Sequence, residues 1–62
     1  MRYRVNVEIA KPVGKEYSYY YTYKSYVVEA AGKREAETLA EAKAREEHPG
    51  RRCEVYCVEV VP

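Results

Sequence analysis

Tyr17-Ser18-Tyr19-Tyr20-Tyr21-Thr22-Tyr23-Lys24-Ser25-Tyr26-Val27-Val28-Glu29-Ala30-Ala31-Gly32-Lys33-Arg34-Glu35-Ala36 is the stretch on which the fold turns. Its first part is rich in Tyr, Val and Thr, residues that fit a pleated, half-buried surface. At Ala30-Ala31-Gly32 the pattern breaks. Gly32 then stands where a helix N-cap belongs, and Glu35 holds the third helical position of a capping box. The spacing predicts a strand over residues 17–29 and a helix over 33–47.

Side chains alternate between the two faces of a strand, so parity decides what each tyrosine does. Odd positions read Tyr17, Tyr19, Tyr21, Tyr23, Ser25, Val27, Glu29; even positions read Ser18, Tyr20, Thr22, Lys24, Tyr26, Val28, Ala30. The end of the strand feeds the helix, so its inward residues should be apolar to the last. The even set meets that condition and the odd set ends on Glu29. Tyr20 and Tyr26 are therefore expected under the helix, with Tyr19, Tyr21 and Tyr23 on the opposite face. A bulge near Lys24 or Ser25 would exchange the sets for part of the strand.

Working outward, Arg2 to Ala10 alternates with Tyr3, Val5, Val7 and Ile9 on one face, which reads as a half-buried strand over 2–10. Lys11-Pro12-Val13-Gly14-Lys15-Glu16 is a turn, with Pro presetting one backbone angle and Gly supplying a positive one. With the turn at Pro12 to Lys15, Glu8 is expected opposite Tyr19, Asn6 opposite Tyr21 and Arg4 opposite Tyr23. In the helix, Ala36, Leu39, Ala40 and Ala44 form a stripe at helical spacing, and Pro49 stops it. Lys33 and Arg34 at its start, and Glu46 and Glu47 at its end, oppose the helix dipole. Solvent and neighbours such as Arg51 and Arg52 relieve them, or the charges address a partner.

The last strand, 52–61, is apolar on both parities: Cys53, Val55 and Cys57 on one, Tyr56, Val58 and Val60 on the other. That is the pattern of a strand covered on both sides. The element order is strand, strand, helix, strand. A right-handed crossover that skips one strand puts the first strand in the middle. The fold class is α+β: a single ββαβ domain over residues 1–62, with a three-stranded antiparallel sheet in the order 2-1-3 and one helix on one face.

Sixty-two residues make one small domain, and chains of this size are marginally stable without added support. The bulk comes from Val, Ala and eight Tyr, with no Phe or Trp. A core built this way is thin, and a second copy of the chain would thicken it. A formal charge of +1 sets up no global field toward nucleic acid or anionic membrane. Enrichment in Glu, Lys and Arg with few amides follows a trend of thermophile proteins. No apolar run is long enough to span a membrane, and Met1-Arg2-Tyr3-Arg4 lacks the apolar segment of a signal peptide. The expected compartment is cytoplasmic.

Cys53 and Cys57, four residues apart, would point the same way in a regular strand. They would lie roughly 13 Å apart, too far for a disulfide. Two partly buried free thiols are expected; a disulfide between subunits is the sharper alternative, disfavoured in a reducing compartment. A lone cysteine pair falls short of a structural zinc site. The one histidine, His48, ends the helix, where its charge suits the dipole; a pairing with Cys53 or Cys57 has no pocket-forming loops around it. There is no glycine-rich phosphate loop and no metal-ligand cluster, so neither enzymatic activity nor a cofactor is expected.

From Tyr26 onward the chain resembles a recurring type of small, uncharacterised bacterial and phage protein. The residues that carry this are Tyr26, Val28 and Ala30, the Glu35-Ala36 pair, Ala40, and Pro49-Gly50, about half of the chain. The resemblance implies a strand-strand-helix-strand fold. It implies no activity, although some small phage proteins of this kind bind and block host factors.

The tyrosine strand carries the functional content, and three readings compete. Tyr is a good strand former, so the ladder can be propensity alone. It can be a protein interface, either with a second copy as a homodimer or with a host protein, since Tyr and Arg are enriched at interface centres. Its residues would be Tyr19, Tyr21, Tyr23 and Arg4, extended by Tyr56 and Val58, with Val60, on the last strand. Or it can stack single-stranded nucleic acid, with Arg2, Arg4 and Lys24 near phosphates, a reading that near-neutral charge disfavours.

Overall fold

The computed structural model describes residues 1–14 and 18–62. Lys15 and Glu16 of the expected turn, and Tyr17 at the expected start of the second strand, lie outside the described residues. Four elements follow in order: β1 (Arg2–Val13), β2 (Ser18–Glu29), α1 (Lys33–Glu47) and β3 (Arg52–Val61). The sheet is antiparallel throughout, in the order β2-β1-β3, as the sequence reading expects.

The alternation of β1 builds the core. Val5, Val7 and Ile9 are fully buried, and Tyr3 nearly so. Tyr26 and Val28 of β2 and Cys53 of β3 join them, with Val55 and Val58 packed against the cluster. The helix contributes Ala36, Ala40 and Ala44, each completely buried. An alanine face lets the helix backbone approach the sheet closely, and the sheet supplies the volume. Leu39, expected in this stripe, is instead 40% exposed. The three alanines recur every four residues and fill the contact line, so Leu39 falls on its flank.

The helix ends confirm some local chemistry and revise the rest. Gly32 is the N-cap and makes no side-chain cap bond. The Glu35 carboxylate accepts from the Ala31 N–H, one residue before the cap, at 3.4 Å. His48 closes the helix by donating its backbone N–H to the Ala44 carbonyl. Gly50 follows with φ +78°, a left-handed angle that favours glycine. Glu47, unfavourably placed on the dipole, is held from β2: Lys24 Nζ lies 2.8 Å away and the Tyr26 hydroxyl donates to it at 2.9 Å. Arg52, expected to relieve it, pairs with Glu54 instead.

Three expectations are corrected by the register. First, β1 runs on to Val13, so Glu8 faces Tyr23, Ala10 faces Tyr21 and Pro12 faces Tyr19. The hairpin is longer than expected because β1 continues past the point where β3 begins, at Arg52 paired with Ala10. Beyond that point β1 has one partner only, and a proline is tolerated on such an edge. Second, Tyr20 is on the helix side, as its parity requires, but it is 66% exposed. A 15-residue helix is about 22 Å long and a 12-residue strand about 40 Å. The helix ends beside Lys24, so the hairpin arm beyond Thr22 extends past its cover.

Third, β3 carries a bulge. Val55 faces Val7 and Cys57 faces Asn6, leaving Tyr56 as the extra residue. Parity changes there. Cys53 and Val55 before the bulge, and Val58 and Val60 after it, all fall on the helix side, opposite Ile9, Val7, Val5 and Tyr3. The apolar residues on both parities of β3 therefore reflect one bulged strand with one covered face. Val58 and Val60, expected on the outer face, are removed from it.

The fit of helix to sheet sets a stability prediction. Ala40→Leu should destabilise the chain by about 1–3 kcal/mol through overpacking, read as a lower urea midpoint. Leu39→Ala, one residue away, should change stability by no more than about 0.5 kcal/mol.

Candidate interaction face

The sheet face away from the helix is assembled by pairing. Across β2, β1 and β3 its rows read Tyr21, Ala10, Arg52; then Tyr23, Glu8, Glu54; then Ser25, Asn6, Cys57; then Val27, Arg4, Glu59; then Glu29, Arg2, Val61. Tyr19 and Pro12 extend it along the hairpin arm. Tyr19, Tyr21, Tyr23, Val27 and Tyr56 are each exposed by about half of their surface (46–61%). No element of the described chain packs on this face.

The rings are arranged in two pairs. Tyr19 and Tyr21 lie on one edge of β2 with centroids 6.3 Å apart, tilted by 36°. Tyr23 and Tyr56 reach toward each other across β1, edge to face, with centroids 5.6 Å apart. Such aromatic pairs add about 0.5–1.5 kcal/mol beyond area burial. The second pair exists because the bulge at Tyr56 places its ring on this side. Between the two pairs Ala10 is buried although it belongs to the outer face, and Glu8, Ala10, Tyr19, Tyr21, Arg52 and Glu54 line a shallow depression.

Polar groups knit the middle of the face. The Ser25 hydroxyl donates to Asn6 Oδ1 at 2.5 Å, and Asn6 Nδ2 donates to Glu59 at 3.4 Å. Arg52 pairs with Glu54, its Nη2 2.6 Å from the carboxylate. Among the described residues, Arg4 and Glu8 have no ion-pair partner. The face carries Arg2, Arg4 and Arg52 against Glu8, Glu29, Glu54 and Glu59, so it is not basic.

The structure thus brings Tyr19, Tyr21, Tyr23, Arg4 and Tyr56 onto one surface and excludes Val58. Cys57, which spacing alone placed on the same side of the strand as Cys53, belongs to the outer face and is exposed, whereas Cys53 is buried on the helix side. The bulge is the reason they point apart. Glu8, Asn6 and Val27 complete the face. The alternation of β1 already put Glu8 and Asn6 outward, but their neighbours depended on the register.

Other chemistry is sparse. Among the described residues, no group of three or more His, Cys, Asp or Glu side chains could hold a metal ion. Cys53 Sγ lies 3.7 Å from the Arg51 carbonyl, Cys57 is on the far face, and the buried His48 Nε2 has no hydrogen-bond partner among the described residues, so neither thiol bonds to it. Burial raises the Cys53 thiol pKa, with Glu41 adding to the rise and Arg45 opposing it. Tyr26 is pushed up to about 12, by burial first and by its bond to Glu47 second. The bonds from Lys24 and Tyr26 hold Glu47 below the usual carboxylate range. No helix among the described residues is long and apolar enough to cross a membrane.

No family model matches the chain, and no curated protein and no solved structure matches it. Function must therefore be read from the geometry of the face.

Two measurements follow from the side chains. Under native conditions one thiol per chain, Cys57, should react with a disulfide reagent, and Cys53 should react only on unfolding. The Tyr26–Glu47 bond has a defined pH window. From the ordinary value of 10.0 to about 12, the folded chain keeps a proton on Tyr26 that the unfolded chain releases. Its stabilisation is therefore complete below that window and lost as pH rises through it. In acid, the Glu47 contribution fades as pH falls through its lowered value. The difference in urea midpoint between the native chain and Tyr26→Phe should shrink at both extremes.

Proposed function

We propose that the chain is a small protein-interaction module whose contact surface is the sheet face opposite the helix, and that its partner is a second copy of itself. One observation carries this reading: Tyr19, Tyr21, Tyr23 and Tyr56, each about half exposed, cluster toward one end of a face that no described element covers, with Val27 one row beyond Ser25. Contiguous apolar surface of this kind marks interaction sites, and tyrosines are favoured at interface centres. The thin core supports self-association, since a second sheet would give the outer side of β1 the cover that the helix gives its inner side.

Single-stranded nucleic acid fits the face less well. Its three arginines are outnumbered by four glutamates, whereas binding to a phosphate backbone is driven by basic residues. Lys24, the remaining basic candidate, lies on the helix side and is held by Glu47.

Light scattering over a micromolar concentration series tests the reading. The native chain should show a mass rising toward a dimer, and Tyr23→Ser should raise the dissociation constant by about tenfold or more. Tyr20→Ser, equally exposed but on the helix side, should leave it unchanged. A chain monomeric across the series, or one sensitive to Tyr20 and not to Tyr23, rules the proposal out.

A further inference from the structure

The outer side of β1 reads Arg2, Arg4, Asn6, Glu8, Ala10: basic at one end, acidic past the middle, with Asn6 between. Glu8 pairs with Tyr23 on one neighbouring strand and Glu54 on the other, and Tyr56, in the bulge of β3, brings its ring to 5.6 Å from that of Tyr23 across β1. A carboxylate beside an aromatic ring is the chemistry that receives a guanidinium, through charge-assisted hydrogen bonds and cation–π contact. Arg52 lines the same depression but pairs with Glu54, and among the described residues no arginine pairs with Glu8. Arg4 lies two rows further along the same strand, exposed and without an ion-pair partner among the described residues.

Resting on the self-association proposed above, we infer that two copies stack face to face and antiparallel about a two-fold axis at Asn6, each setting Arg4 against Glu8 of the other, beside the Tyr23 ring. Charge and shape select this arrangement. An axis running across the strands at Asn6 keeps β1 over β1 and reverses its direction. Glu8 then meets Arg4 twice, and Tyr23 meets Val27. An axis along β1 would set Arg4 on Arg4 and Glu8 on Glu8, a repulsive alternative. Moving the axis by half a row in either direction sets Tyr23 against Glu29 or Ser25, and Glu8 against Arg2 or Asn6. The like-charged rim residues Glu54 and Glu59 face each other in the chosen register, but each already has a partner, Arg52 and Asn6 respectively.

The size of the contact sets its strength. Five rows of three strands cover roughly 34 by 14 Å at ordinary strand spacings. That is about 450 Å² per copy in projection, at the low end for specific interfaces. The dimer is weak, with a dissociation constant on the order of micromolar or above. Cys57 falls on the axis and faces its own equivalent, which provides an independent reporter.

Sedimentation equilibrium of the native chain, Arg4→Glu, Glu8→Arg and the double exchange tests the register. Each single reversal converts both symmetry-related pairs from attractive to repulsive and should weaken the dimer by about tenfold. The double exchange should restore it to within about threefold of the native value. A short bis-maleimide should join Cys57 to Cys57 in the native and doubly exchanged chains and much less in the single variants. Cys57→Ser should give no product. Circular dichroism and urea midpoints verify that all variants fold. If the native chain is a dimer but the double exchange stays as weak as the singles, or Cys57 does not cross-link, this register is wrong and self-association through another arrangement stands. A native chain that remains monomeric overturns both.

Discussion

Much of this structure depends on one extra residue in β3. Ten residues of β3 pair with nine of β1, from Arg2 to Ala10, so one must be left over, and it is Tyr56. Without the bulge, a strict alternation would bury either Cys53 and Val55 or Val58 and Val60, and turn the other pair to water. With it, both pairs lie on the helix side, and Val55 and Val58 on either side of the bulge pack against the core that Cys53 joins, while Val60 stays exposed. The same slip turns the Tyr56 ring outward to meet Tyr23, and separates Cys57 from Cys53. A local backbone irregularity therefore completes the core and assembles the outer aromatic pair at once.

The helix imposes the second constraint. Its buried residues are all alanine, so it contributes close approach while β1 contributes bulk. It is also much shorter than the strands it covers. Lys24 and Tyr26 hold its last residue, Glu47, against β2, and the hairpin arm runs on beyond that point. Tyrosines are thus exposed for two different reasons: Tyr20 because the helix stops short of it, and Tyr19, Tyr21 and Tyr23 because nothing packs on their face.

That face is chemically balanced. Aromatic surface runs along one edge, crosses the sheet at Tyr23 and Tyr56, and surrounds a central strand whose charge changes sign at Asn6. With three arginines against four glutamates, such a surface gives little long-range attraction for a polyanion, while the opposite signs at Arg4 and Glu8 are complementary when two copies oppose each other. Self-association would also supply the second layer that a domain of this size lacks.

The sequence by itself determined the element order, the 2-1-3 sheet, the buried set of β1 and the outward parity of Tyr19, Tyr21 and Tyr23. These follow from period two, from the Ala30–Gly32 break and from the handedness of the crossover, all local or topological rules. Only the tertiary structure decided which residues meet. Hairpin register depends on where β1 stops, which Pro12 left open because an edge accepts proline. The bulge at Tyr56 was invisible because apolar residues on both parities fit a doubly covered strand equally well. The exposure of Tyr20 and Leu39 depended on the length and rotation of the helix over the sheet. The outer face was legible as a set of tyrosines; its pairing of Tyr23 with Tyr56 across β1 required the packed chain.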